Sequence, residues 1–251
     1  MNSIPEFLYK YRPLTPHTLR TISHSEIFFP FPKDFNDPFD CNIVPDPQYT
    51  RKEAEEYIRQ LKTVDPDNHF EKAYNTFRTE GMQKFYDSML LDIQGIRDTV
   101  RICSLSEIPN SVMMFSHYAQ GHRGLCFEFK SGKHGFFDSL APVLYPDAFP
   151  IFHPFRDAID RYQQLLDAEL LTKSKEWSYE KEWRIIKAAP EPTTYEFPEA
   201  CLNAIIFGCL TSEKDRELVQ EINQARESPA QLREAYRIEK SFALGIRAID
   251  S

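Results

Sequence analysis

Two glutamates stand two residues apart in the stretch WSYEKEWRII, residues 177 to 186. If this stretch is a β-strand, Glu180, Glu182 and Arg184 share one face, because side chains two apart point to the same side. Carboxylates about 6 to 7 Å apart along a strand can divide two tasks, one orienting a substrate hydroxyl and the other activating a nucleophile. A solvated strand face with a Glu–Arg pair is the alternative interpretation.

Two serines, Ser104 and Ser106, end a predicted strand in TVRICSLSE. Their hydroxyls could hydrogen-bond a neighbouring carboxylate and hold its rotamer. Serine is also an ordinary residue where a strand passes into a turn. Both interpretations of the serines are open.

Three further side chains could bind a ligand. The planar guanidinium of Arg12, in KYRPL, could hold a diphosphate through two parallel hydrogen bonds, or could pair with Asp37 or Asp40. Tyr118 and Arg123 flank a predicted glycine-bearing turn. The tyrosine ring could stack there on a ligand ring, although a tyrosine packed in the core is the commoner arrangement.

A metal site is a weaker interpretation of the acidic residues. Asp37 and Asp40 could bind Mg²⁺, but the sequence NDPFD favours an Asx turn. With either aspartate, Glu128 and Lys130 on one strand could form the core of a Mg²⁺-dependent nuclease. The seven histidines and five cysteines lack the spacing of a zinc site, so we expect no metal.

The elements that would position these residues alternate between strand and helix patterns. Residues from Thr50 to about Asp98 have a helical pattern, and a further helix is predicted over roughly His153 to Thr172. In GLCFEFK, Leu125 and Phe127 alternate with polar residues as in a strand. The order predicts one α+β domain over 1–251, with a mixed, antiparallel-rich sheet and a helical insertion at about 50–98.

Composition limits the partners. The net charge of −8 argues against a broad nucleic-acid-binding surface, which needs many Lys and Arg side chains. The chain has no stretch of about 18 uninterrupted apolar residues, and its N-terminus lacks the apolar core of a secretory signal. We therefore expect a cytoplasmic protein that does not enter a membrane.

Several stretches together resemble an uncharacterised bacterial domain family related to abortive-phage-infection proteins. The resemblance runs from residue 8 to about residue 210, and the stretches that carry it are LYKYRPL, IFFPFPKDFNDPFD, ICSLSE, SHYAQGHRGLCFEF, KEWSYEKEWRI and IIFGC. It implies a role in phage defence or as a toxin effector.

The order of Arg12, then Ser104 and Ser106, then Glu180 and Glu182 also resembles the Arg-Ser-Glu signature of ADP-ribosyltransferases. The resemblance implies a split sheet, an arginine that holds NAD⁺, serines that buttress the site, and a last glutamate that bonds the nicotinamide ribose. The long helical segment between the arginine and the serines is a departure from that pattern.

The chemistry of such an enzyme suits these residues. Cleavage of the nicotinamide–ribose bond develops positive charge on the ribose, which Glu182 would stabilise. Glu180 would orient or deprotonate the acceptor. We expect NAD⁺ as the substrate and an unknown protein or nucleic acid as the acceptor, or water if the reaction is hydrolysis. The nuclease, and a non-catalytic sensor or partner-binding protein, are the alternatives.

Overall fold

The computed structural model describes residues 3–64, 69–132, 136–137, 139–157, 162–188 and 193–249. The α-helices, in chain order, are α1 (Pro16–Ser23), α2 (Arg51–Val64), α3 (His69–Thr79), α4 (Met82–Thr99), α5 (Val112–Tyr118), α6 (Pro154–Asp157), α7 (Tyr162–Leu170) and α8 (Glu213–Gln224). The strands are β1 (Phe7–Arg12), β2 (Glu26–Phe28), β3 (Val44–Pro45), β4 (Val100–Ser106), β5 (Leu125–Lys130), β6 (Leu140–Pro142), β7 (Ile151–Phe152), β8 (Glu182–Ala188), β9 (Thr194–Glu196), β10 (Leu202–Phe207), β11 (Gln231–Arg237) and β12 (Leu244–Ala248).

The chain forms two compact units. The first unit comprises Met1–Pro30, Arg101–Val143 and Ser178–Ser251, and the second comprises Phe31–Val100 and Leu144–Trp177. The predicted helical insertion lies within the second unit. A single domain over the whole chain stays a prediction.

The first unit is built on one eight-stranded sheet, in the order β12-β11-β10-β5-β1-β4-β8-β6. The pairs β11–β12, β5–β10, β1–β5, β1–β4 and β6–β8 are antiparallel. The pair β10–β11 is parallel. α8 connects the parallel pair, since parallel neighbours need a crossover. The prediction of a mixed, antiparallel-rich α+β fold is confirmed.

Apolar side chains are buried on both faces of this sheet. Leu125 and Phe127 of β5 join one core, which also contains Ile22 of α1 and Val219 of α8. Cys126, between them on β5, joins the core on the opposite face, where Phe115 of α5 is fully buried. The alternation predicted for β5 is therefore present, with a core on each side. We call these the α1/α8 face and the α5 face.

The sheet opens between two of its central strands. Six register pairs join β1 to β5, whereas among the described residues a single pair, Tyr9 with Ser106, joins β1 to β4. Beyond that pair, the Lys10 ammonium donates a 2.7 Å hydrogen bond to the carbonyl of Ser104, which places a side chain where ladder bonds would otherwise form. An ADP-ribosyltransferase-like split stays a prediction.

Two sequence predictions need correction. The stretch around Glu180 is not a continuous strand: a 3₁₀-helix covers Lys175–Glu180, and β8 begins at Glu182. Lys181 between them has a positive φ of 42°, which ends the helix and breaks the two-residue alternation. The helix predicted over His153 to Thr172 consists of α6 and α7, and residues 158–161 lie outside the described part.

The second unit is mainly helical. Its core contains Ile58 of α2, Phe85 and Met89 of α4, and Phe155 of α6. A short parallel pair, β3 with β7, accompanies these helices. The Oδ1 of Asp37 accepts the backbone N–H of residue 39 at 2.9 Å, so the predicted Asx turn is present. None of the helices in the described ranges is both long and apolar enough to cross a bilayer.

Candidate functional site

Glu180 lies at the centre of a buried hydrogen-bonded cluster. Its Oε1 accepts a 2.7 Å hydrogen bond from the phenol of Tyr118, at the end of α5. Its backbone carbonyl accepts a 2.6 Å hydrogen bond from the Ser106 hydroxyl, at the end of β4. That hydroxyl in turn accepts the N–H of Ile108 at 3.0 Å. The structure thus brings together site residues predicted from three separate segments.

Two side chains that the sequence analysis did not select extend this cluster. His117 Nδ1 lies 3.1 Å from the hydroxyl of Tyr179, so consecutive residues of α5 contact consecutive residues of the 3₁₀-helix. Glu180 is buried, both tyrosines are half-buried, and His117 is exposed. One signal in the sequence points to His117 and Tyr179, namely that they are adjacent to Tyr118 and Glu180.

The second glutamate forms a buried ion pair. Glu182 Oε1 lies 2.8 Å from Arg184 Nε, and Glu182 Oε2 lies 3.1 Å from Arg184 Nη2. This two-bond geometry orients the carboxylate firmly. The predicted Glu–Arg pair is therefore present, but it is buried rather than solvated.

Unusual backbone conformations occur on both sides of the cluster. Gln120 and His122, close to Tyr118 in sequence, have φ values of 52° and 66°, and Lys181 between the two glutamates has 42°. Non-glycine residues in this region carry backbone strain that is frequent at functional sites. Arg123, after this turn, is exposed, and its guanidinium donates a long 3.4 Å hydrogen bond to the carbonyl of Gly121.

Arg12 lies on the opposite face of the sheet from Ser106. It is the register partner of Leu125, on the α1/α8 face, whereas Ser106 is paired with Tyr9, on the α5 face. Its guanidinium is half-buried and has no hydrogen bond or ion pair among the described residues. Burial lowers the pKa of Arg12, although the nearby Cys103 thiol opposes this effect. The alternative pairing of Arg12 with Asp37 or Asp40 stays a prediction.

A second cation accompanies Arg12. Burial lowers the pKa of Lys10, which lies two residues away on the same face, and the charge of Arg12 lowers it further, whereas Glu182 raises it. Burial also raises the pKa of the Cys103 thiol, although the charges of Lys10 and Arg12 oppose this shift. Two basic side chains, Lys10 and Arg12, therefore lie beside the opening next to β1.

Ser104 differs from Ser106. Its hydroxyl makes no hydrogen bond within the described part of the chain, whereas its backbone carbonyl accepts one from Lys10. Because strand residues alternate, both serines point to the α5 face. One of the two predicted supporting serines therefore contacts the glutamate segment directly.

The residues of the nuclease alternative are arranged differently. The buried carboxylate of Glu128 accepts hydrogen bonds from Tyr9 at 3.0 Å, from Arg233 at 2.9 Å and from Asn203. Lys130 is exposed and lies 3.8 Å from Glu6. In the described ranges, no group of three or more His, Cys, Asp or Glu side chains is placed to hold a metal ion.

Comparison with known proteins gives one partial match. A family model described as a protein of unknown function, DUF2971, matches residues 114–185. The matched segment contains Tyr118, Arg123, Glu180 and Glu182, so the chain is similar to an uncharacterised domain over the region that builds the glutamate cluster. No curated protein and no solved structure gives a significant match.

Proposed function

We propose that this chain consumes NAD⁺ in the manner of an ADP-ribosyltransferase, transferring ADP-ribose to an acceptor or hydrolysing NAD⁺. One observation carries the proposal: Ser106, Tyr118 and Glu180, selected from three distant segments, form one hydrogen-bonded cluster beside Glu182. A role in phage defence or as a toxin effector is part of the same proposal.

The proposed reaction breaks the bond between the ribose C1′ and the nicotinamide nitrogen, and the bonding electrons leave with nicotinamide. The positive charge that develops on the ribose is stabilised by the Glu182 carboxylate, which Arg184 holds in place. Glu180 accepts the proton of the attacking hydroxyl or water as the new bond to C1′ forms. Tyr118 positions Glu180 for this step.

The cations beside β1 support binding of a dinucleotide. Arg12 has no anionic partner among the described residues, and Lys10 is next to it. A half-buried pair of like charges is unfavourable unless an anion neutralises it. A diphosphate supplies two negative charges and accepts the parallel hydrogen bonds that a guanidinium donates. Arg12 lies on β1 and Ser106 of the glutamate cluster lies on the neighbouring strand β4, but on the opposite face of the sheet. The ligand would therefore pass through the opening between β1 and β4.

The nuclease alternative has less support. A catalytic metal needs carboxylate oxygens that can coordinate it, whereas Glu128 is engaged by three donors. We therefore keep the nuclease as an outcome of the experiment rather than a second proposal.

The experiment measures NAD⁺ consumption by the purified protein, with and without cell lysate as a source of acceptor. We expect wild-type protein to release nicotinamide, and Glu182→Gln to abolish release while the melting temperature shows a folded protein. Glu196→Gln, on the exposed end of β9, is the matched control and should leave the rate unchanged.

The outcomes separate the alternatives. If wild-type protein neither consumes NAD⁺ nor shows a melting shift with it, the transferase proposal fails. Mg²⁺-dependent DNA or RNA cleavage that is lost in Lys130→Ala would favour the nuclease. If neither activity is found, a non-catalytic sensor or partner-binding role gains support.

A further inference from the structure

The second unit carries an exposed apolar surface. Among its exposed large apolar side chains, Phe39 and Ile151 each reach 64% of their reference areas; the residues that form this surface are Phe39, Val44, Leu144, Phe149 and Ile151. Val44 and Ile151 are register partners in β3 and β7, so they share a face. Phe39 and Phe149 line one cavity. We call these five residues the apolar patch, and clustered exposure of this kind marks interaction sites.

The cavity within the apolar patch has a fixed floor. Its volume is about 340 Å³. Lys173, buried in this floor, has its Nζ 3.6 Å from the Asp40 carboxylate and 4.8 Å from the centre of the Trp177 ring. Its backbone N–H donates to the carbonyl of Leu144 at 2.9 Å. A preformed cavity of this kind suits one large apolar anchor from a partner.

The first unit presents such an anchor. Phe242, in the turn between β11 and β12, is fully exposed, at 106% of its reference area. The turn is closed by a 3.0 Å hydrogen bond from the N–H of Ile238 to the carbonyl of Ala243, and by a 3.2 Å bond from the N–H of Ser241 to the carbonyl of Ile238. Because these bonds fix the backbone that carries Phe242, the turn loses little backbone conformational freedom on binding.

The charges around the cavity and around Phe242 are complementary. At the cavity rim, Lys175 pairs with Asp147, which leaves Glu176 exposed and without an ion pair among the described residues. The segment 237–242 carries two basic side chains and one acidic side chain. Its Lys240 is exposed and, in the described part of the chain, has no ion pair. One surplus positive charge therefore lies near Phe242, and one surplus negative charge lies near the cavity.

We propose that the protein self-associates: Phe242 of one copy inserts into the cavity of a second copy, and Lys240 lies opposite Glu176. The contact joins two different surfaces, so each copy can both give and receive a phenylalanine. This inference is independent of the proposed enzymatic activity.

The test is analytical ultracentrifugation of the full chain over a concentration series. We expect wild-type protein to associate as concentration rises, and Phe242→Ser or Phe39→Ser to weaken association by about tenfold or more. Leu91→Gln removes an equally exposed apolar side chain from α4, outside the apolar patch, and should have no effect.

Mixing the variants tests the pairing itself. Phe242→Ser keeps the cavity and Phe39→Ser keeps the inserting phenylalanine, so an equal mixture should form one-to-one pairs that neither variant forms alone. Glu176→Lys should weaken association, and adding Lys240→Glu to the same chain should restore it. A wild-type protein that is monomeric at every concentration, or a Phe242→Ser variant that associates like wild type, would overturn the proposal.

Discussion

The phenol of Tyr118 donates a 2.7 Å hydrogen bond to the carboxylate of Glu180, although the two residues are 62 positions apart in the sequence. The bond connects the end of α5 to the 3₁₀-helix that precedes β8. A buried carboxylate is costly unless donors satisfy it, so Tyr118 stabilises this position of Glu180. The position matters for any chemistry in which Glu180 takes part.

Replacing Tyr118 by phenylalanine removes this donor and keeps the ring. Hydrogen bonds to charged groups contribute about 1.5 to 3 kcal/mol, so we expect a stability loss of that order and a marked fall in NAD⁺ consumption. The measurements are urea unfolding and nicotinamide release. Tyr74→Phe, at an exposed position in α3, should change neither, and unchanged activity in Tyr118→Phe would contradict the positioning role.

The two serines of β4 provide a matched pair of variants. Ser106→Ala removes the hydroxyl that donates to the Glu180 carbonyl, so it should cost about 1 to 3 kcal/mol and lower the rate. Ser104→Ala removes a hydroxyl without a hydrogen bond in the described structure and should be nearly neutral. Equal losses in the two variants would argue against a specific role for Ser106.

Glu169 predicts a pH dependence of stability. Its side chain is 1% exposed, Arg97 is 3.5 Å away, and Oε2 has no hydrogen-bond partner among the residues that the structure describes. Burial raises its pKa to about 7, although Arg97 opposes the shift. Between about pH 4.5 and about pH 7, the Glu169 carboxyl is therefore protonated in the folded state and ionised in the unfolded state. Because the folded state binds the extra proton, the free energy of unfolding falls as the pH rises through this range.

Glu169→Gln removes this proton uptake. The loss in wild-type protein should be on the order of 3 kcal/mol across that range, and the variant should show a flatter curve and greater stability at pH 8. Denaturant unfolding at a series of pH values measures both. Glu80→Gln, at an exposed position in the same unit, should follow the wild-type curve, and identical curves for Glu169→Gln and wild type would refute the prediction.

Replacing each of two glycines by alanine should change the stability of the protein in opposite directions. A Cβ on Gly208 would lie 2.2 Å from the backbone carbonyl oxygen of His122, so Gly208→Ala must displace the turn that follows Tyr118. We expect it to cost about 1 to 3 kcal/mol or more. Gly95, in α4, has open space at its Cβ position, and Gly95→Ala should stabilise by about 0.5 to 1 kcal/mol. Thermal unfolding of both variants checks the pair, and a stable Gly208→Ala would show that the turn adapts.

Much of the local structure could be predicted from the sequence because short-range patterns determine it. The alternation in Leu125 to Phe129 predicted β5, and the helical pattern after Thr50 predicted the helices of the second unit. The same reasoning failed at Glu180, since alternating residue types look like a strand whether or not a residue such as Lys181 adopts a left-handed conformation.

The sequence by itself determined which residues were available for chemistry: two glutamates, two serines, an arginine and a tyrosine in a recognisable order. Only the tertiary structure decided that Tyr118 and Ser106 contact Glu180, and that Arg12 lies on the other face with Lys10. The physical reason is that these relationships depend on strand order and register. Register decides which face each side chain occupies, and it is set by packing between segments that are far apart in the chain.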